Sequence, residues 1–127
     1  MTGRIKVGVV GVGDFGRNHV RLYRDLDSAS LVGVYDTDAA RAHSVAQEFG
    51  TRVFDSLDAL AAAVQAVSPA GGGASVAVPT RDHARVASEL LRRGVDVLVE
   101  KPIAASLAEA DDLIRISEAE GRILQVG

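Results

Sequence analysis

The sequence predicts an α/β domain, a doubly wound parallel sheet with helices on both faces in three αβα layers. Three observations predict it. Short β-branched runs alternate with amphipathic stretches along all 127 residues. The first run, Val7-Gly8-Val9-Val10, breaks into Gly11-Val12-Gly13-Asp14-Phe15-Gly16, a G-x-G-x-x-G spacing that opens a helix. An acid, Asp36, closes the second run about twenty positions past Gly16.

Ile5 to Val10 is apolar and too short for an ordinary helix, so it reads as a strand buried on both faces. Asp14 to Leu26 sets Phe15, His19, Leu22 and Leu26 at three- and four-residue steps, the stripe of an amphipathic helix in which His19 faces the core. Leu31 to Tyr35 is the second strand. Asp38 to Phe49 is a helix capped by Asp36 or Asp38, with Ala42, Ala46 and Phe49 inward and Gly50 as its stop. A short strand, Arg52-Val53-Phe54, leads through Asp55-Ser56 into an alanine-rich helix from Leu57 to about Val67. Ser68-Pro69-Ala70-Gly71-Gly72-Gly73 reads as a flexible loop, because proline lacks a donor and glycine loses the most entropy on ordering. Ala74 to Val78 is the fourth strand. Thr80 or Asp82 caps the next helix, which presents His83, Ala87, Leu90 and Leu91 on one face and ends at Gly94. Val95 to Val99 is the fifth strand. Ser106 with Glu109 forms a capping box for a helix that stops at Gly121, and Ile123 to Val126 is the last strand.

Strand, glycine turn and helix in that order suit a dinucleotide phosphate. Gly11 allows the tight turn, Gly13 the close approach of backbone to pyrophosphate, and Gly16 the packing of helix on strand, the anion resting on N–H groups at the helix start. Asp36 is placed to hold the adenosine ribose, and its charge repels a 2′-phosphate. Thr37 brings no positive charge and Arg41 lies a helical turn away, so NAD is favoured over NADP. Ligands of such sheets lie beyond the carboxyl ends of the strands. That rule gathers Gly11, Gly13, Asp36, Pro79, Thr80 and Lys101 on one rim.

Composition narrows the alternatives. With 14 basic and 17 acidic residues the net charge is −3, and scattered basic residues without clustered aromatics argue against a nucleic-acid surface. The absence of cysteine excludes disulfides, thiolate nucleophiles and thiolate-ligated zinc, and fits a reducing cytoplasm. His19, His43 and His83 show no metal spacing. No stretch is long and apolar enough to span a bilayer. The length suits one domain, 1–127, and is short for a two-domain dehydrogenase.

With the glycine turn, Asp36, Val78-Pro79-Thr80 followed by His83, and Val99-Glu100-Lys101-Pro102, the chain resembles the nucleotide-binding domain of the glucose-fructose oxidoreductase, inositol dehydrogenase and MocA family (Gfo/Idh/MocA). The resemblance implies a Rossmann-type NAD(P)-binding domain, with the family's C-terminal substrate domain absent. It also implies hydride transfer between nicotinamide and a hydroxyl-bearing carbon of a sugar, cyclitol or nucleotide-sugar. Lys101, in the position of the family's catalytic lysine, is the catalytic candidate, and the Lys101-Pro102 bond is expected to be cis as it often is in the family. The cofactor set is Gly11, Val12, Gly13, Asp14, Phe15, Gly16, Asp36, Thr37, Val78, Pro79, Thr80, His83, Glu100 and Lys101, with no metal ligand. Glu100 orients Lys101 or contacts the nicotinamide side, or is a charged strand end. His83 either lies near the cofactor or packs half-buried. Pro69 to Ser75 departs from the family as a heptad inserted before a central strand. The isolated chain is expected to bind cofactor with little turnover and to self-associate through the face the second domain would cover. The alternative is a non-catalytic dinucleotide-binding module, a redox sensor or scaffold.

Overall fold

The computed structural model describes residues 4–65 and 72–127. Its elements are β1 (Ile5–Val10), α1 (Asp14–Asp25), β2 (Ala29–Tyr35), α2 (Ala39–Phe49), α3 (Leu57–Gln65), β3 (Gly72–Val76), a single 3₁₀ turn (Thr80–Asp82), α4 (His83–Arg92), β4 (Val95–Val99), α5 (Leu107–Glu120) and β5 (Leu124–Val126). The five strands are parallel in the order β2-β1-β3-β4-β5. The chain therefore moves outward from β1 to β2, returns past β1 to β3, and continues to the opposite edge. This is the Rossmann-type α/β fold that the alternating sequence predicts.

The sheet separates two apolar layers. On one face Val9, Val12 and Val34 meet Val20 of α1 and Ala42, Val45, Ala46 and Phe49 of α2. On the other, Val10, Val76, Val97 and Val99 meet Leu60 and Val64 of α3, Leu90 and Leu91 of α4, and Leu113 of α5. Leu60, Leu90 and Leu91 are wholly buried, and truncating such a leucine to alanine costs about 2–5 kcal/mol through lost transfer energy and a residual cavity.

Cap chemistry sets several boundaries. The Asp38 carboxylate accepts the Arg41 N–H at 3.1 Å and so caps α2, while Gly50 ends it in the left-handed conformation at φ 68°. Ser106 Oγ accepts the Glu109 N–H at 3.2 Å, and Glu109 reaches back to the Ala105 N–H at 3.2 Å. Helix α4 differs from expectation. Neither Thr80 nor Asp82 supplies a side-chain cap, because the 3₁₀ turn runs directly into the helix and Asp82 N–H bonds to the Pro79 carbonyl at 2.9 Å.

Three further sequence readings are corrected. Arg52–Phe54 is no strand of the sheet but a single bridge in which Val34 pairs with Val53, since the chain turns away at once into α3. Gly72 and Gly73, expected in a loop, begin the central strand, which ends at Val76 rather than Val78 and pairs with β1 and β4 along its length. Glycine stands at 72 for a steric reason: a Cβ there would lie 2.5 Å from the Val64 carbonyl oxygen and 2.7 Å from that of Lys6. The proposed heptad therefore loses Gly72–Ser75 to β3, and its Pro69–Gly71 part lies outside the described residues, as does the Ala66-Val67 end expected for α3. Finally, Phe15, Leu22 and Leu26 are 69%, 53% and 50% exposed, so that stripe of α1 faces outward. The buried residues of α1 are Gly16 and Val20, and at Gly16 the helix approaches the glycine turn too closely for a Cβ.

Candidate functional site

The order reversal lies between β1 and β3, where the following connections diverge and leave a crevice at the carboxyl ends of the strands. A cleft of about 780 Å³ opens there. Of the residues singled out from the sequence, Gly11, Gly13, Phe15, Asp36, Thr37, Val78, Pro79, Thr80, His83, Glu100 and Lys101 line it. Val12 is buried beneath the turn, Gly16 is buried against it, and Asp14 is exposed in the first turn of α1.

The glycine turn is shaped by contacts no larger residue permits. Gly11 has φ 87°, and a Cβ on it would meet the Ala77 backbone at 2.8 Å. A Cβ on Gly16 would fall 1.7 Å from the Gly11 carbonyl oxygen, so α1 starts hard against the turn. Gly13 is different: its Cβ position meets only the Arg41 guanidinium, at 3.8 Å. It is also the residue before α1, and no side chain caps that helix start. Open space beside uncapped N–H groups fits a phosphate oxygen.

Asp36 holds this turn from the neighbouring strand. One carboxylate oxygen accepts the Val12 N–H at 2.8 Å and the other accepts the Asp38 N–H at 2.8 Å. The side chain is only 8% exposed, yet two oxygens offer more acceptor sites than these two bonds use. Arg41, a helical turn away in sequence, reaches back into the cleft, its guanidinium 3.8 Å from Asp36 Oδ2 and 3.9 Å from Asp38 Oδ2.

At the other end β4 delivers Glu100 and Lys101 ahead of a cis Lys101-Pro102 bond, the isomer the resemblance implies. His83 is 2% exposed, its Nδ1 2.8 Å from the Pro102 carbonyl oxygen and its Nε2 2.9 Å from that of Val78. Both partners only accept, so a neutral ring donates to one carbonyl and packs against the other, lying between the loop after β3 and the loop after β4. The histidine that reads from sequence as either half-buried or beside a ligand is thus fully buried and lines the cleft.

His19, read as a core-facing helix residue, does face the sheet, where it meets a polar seam. Its Nε2 is 2.5 Å from Glu100 Oε2, its Nδ1 2.8 Å from Ser75 Oγ, and Ser75 Oγ 2.7 Å from the Tyr23 hydroxyl. A carboxylate only accepts, so His19 Nε2–H donates to Glu100; Nδ1 then accepts from Ser75, and Ser75 accepts from Tyr23. Every donor and acceptor in the series has a role, and no buried side-chain polar atom among the described residues lacks a partner. Lys101, by contrast, is exposed and forms no ion pair among the described residues.

Sequence reasoning sets Arg41 aside as a helical turn away, although it reaches the cleft, and misses Ser75 and Tyr23. Ser75 reads as part of a strand, but a strand residue's sequence does not show what lies over it, and a helix sequence cannot show which strand its flank touches. Among the described residues no group of three or more His, Asp or Glu is placed to hold a metal ion, and no helix is long and apolar enough to cross a membrane.

A parallel sheet with a glycine turn and an acid at its switch point defines a dinucleotide-binding fold. The family model described as an oxidoreductase family with an NAD-binding Rossmann fold matches residues 5–127, and the chain belongs to that family, Gfo/Idh/MocA. It is 39% identical over 123 residues to a UDP-N-acetylglucosamine 3-dehydrogenase of Acidithiobacillus ferrooxidans, covering 97% of this chain and 36% of that protein. An inositol 2-dehydrogenase of Saccharopolyspora erythraea is 36% identical over 126 residues, again 97% of this chain and 36% of the relative. The solved structure of the Acidithiobacillus enzyme superposes with a TM-score of 0.89 at 36% identity, over 99% of this chain and 39% of the other. That of GenD2 from gentamicin A biosynthesis, in complex with NAD, gives 0.89 at 31% identity, over 100% and 35%. The chain thus spans little more than a third of the relatives it matches. It is the NAD(P)-binding Rossmann domain of the family.

Proposed function

We propose that this chain holds NAD(H) for an oxidoreductase that moves hydride between the nicotinamide and a hydroxyl-bearing carbon of a sugar, cyclitol or nucleotide-sugar. The observation that carries the reading is that the glycine turn, Asp36 and Lys101 line one cleft, although the sequence separates them widely. The domain comprises residues 1–127, and a separate substrate-binding domain completes the enzyme; the short span relative to the matched proteins supports this.

When bound, the cofactor supplies the hydride acceptor or donor, and the protein supplies position and charge. The uncapped start of α1 and the open side of Gly13 receive the pyrophosphate. The remaining lone pairs of Asp36 accept the ribose hydroxyls, and its charge disfavours a 2′-phosphate, so NAD is preferred over NADP. Val78, Pro79 and Thr80 form the wall between the two ends. Lys101 places its ammonium where the substrate hydroxyl arrives, donating a hydrogen bond to its oxygen and stabilising the negative charge that develops there as the hydroxyl proton passes to a base of the substrate-binding domain. A cysteine-free composition supports a reducing, cytoplasmic setting. Exposed Ile123 and Val126 at the β5 edge support docking of the second domain or self-association.

Titration with NADH and with NADPH, followed by nicotinamide fluorescence, tests the reading. Saturable binding with NADH the tighter ligand is expected. Tighter NADPH binding would overturn the role given to Asp36, and binding of neither would favour a scaffold.

A further inference from the structure

We propose that His19 is a positioning residue for the nicotinamide end of the cleft, fixing the Glu100 carboxylate so that the Lys101 ammonium beside it stays unpaired. This rests on the reading that the cleft holds NAD(H). His19 belongs to the helix whose start forms the phosphate corner, and Glu100 to the end of β4, beyond the central strand. The 2.5 Å bond between them spans 81 positions of sequence and ties the two ends of the site together.

The pair is sheltered, with side chains 15% and 26% exposed, so water and salt weaken it less than a surface pair. Because Glu100 only accepts, Nε2–H of the neutral ring donates to it, and behind the ring Nδ1 accepts from Ser75, which is wholly buried and can accept in turn from Tyr23. Glu100 and Lys101 are adjacent, and both line the cleft. With the imidazole gone, Glu100 loses its donor and its carboxylate is free to pair with the ammonium of its sequence neighbour Lys101, which lines the same cleft. A lysine paired in that way no longer presents its charge to the nicotinamide ribose or to substrate.

The test compares NADH with ADP-ribose, which shares the phosphates and adenosine but lacks nicotinamide. Binding of each to the 127-residue chain is measured by calorimetry, with far-ultraviolet circular dichroism as a folding check. His19→Leu is expected to weaken NADH about tenfold, the scale of losing a hydrogen bond to a charged group, while ADP-ribose changes by less than about twofold. His19→Gln, whose amide can donate to Glu100, recovers most of the loss. In a Glu100→Gln background His19→Leu costs NADH little more, because the carboxylate it anchors is gone. Equal weakening of both ligands would overturn the proposal by showing that His19 only supports α1. Unchanged NADH binding in a folded His19→Leu variant would overturn it while leaving the cofactor reading intact. Failure of the unaltered chain to bind either ligand would defeat the cofactor reading itself, and the proposal with it.

Discussion

Asp36 accepts the backbone N–H of Val12 at 2.8 Å, so the acid at the end of β2 is also the brace of the glycine turn after β1. One carboxylate thus shapes the phosphate corner and faces the ribose position. Asp36→Ser should weaken NADH at least about tenfold, because a charged acceptor is lost from both places. Arg41 then keeps only Asp38, at 3.9 Å, as a counter-charge and can turn to a 2′-phosphate. The ratio of NADPH to NADH affinity is expected to rise, and adding Arg41→Ala should cancel the rise. Parallel titrations of the two reduced cofactors read both effects.

Gly16→Ala should be among the most damaging single changes. Its Cβ would sit 1.7 Å from the Gly11 carbonyl oxygen, a backbone atom that cannot swing aside. A loss of about 3 kcal/mol or more is expected, with cofactor binding abolished. Gly121→Ala is the control. Its φ of 64° is strained for alanine, but nothing lies within 4 Å of the added carbon, so a cost of about 1–2 kcal/mol is expected. Urea midpoints of the two variants against the unaltered chain make the comparison.

His83→Leu keeps the approximate volume but leaves the Val78 and Pro102 carbonyls without the imidazole between them. The carbonyl that accepted the ring N–H is left unmet, at a cost of about 1–3 kcal/mol. Because the ring spans the loops on both sides of the cleft, NADH binding should fall as well, even where the variant is fully folded. Denaturation curves and titration under native conditions separate the two consequences.

Lys101 governs turnover rather than the fold, being exposed and outside both apolar clusters. The chain alone, given NAD and a cyclitol or nucleotide-sugar, should show negligible growth of nicotinamide absorbance. Joined to the substrate-binding half of a family relative and made active, it should lose about 10²–10⁴-fold in rate on Lys101→Ala, the range for removing a general acid or base. Unchanged turnover would favour a non-catalytic dinucleotide module.

The sequence by itself determined the layered α/β fold, the strand that opens the chain, the glycine turn and Asp36, the acid that ends the second strand. These are local properties: β-branched runs, left-handed glycines and capping side chains declare themselves within a few residues. It also marked Lys101 and His83, through motifs short enough to read in line. Only the tertiary structure decided that Gly72 and Gly73 belong to a central strand, because what requires glycine at 72 is the Val64 carbonyl of a helix that crosses it. Only it turned Phe15, Leu22 and Leu26 outward, brought Arg41 over Asp36, and set His19 against Glu100 across β3. Periodicity shows that a helix has two sides. Which side is buried, and which distant group an imidazole meets there, is fixed by how closely that helix can approach its sheet.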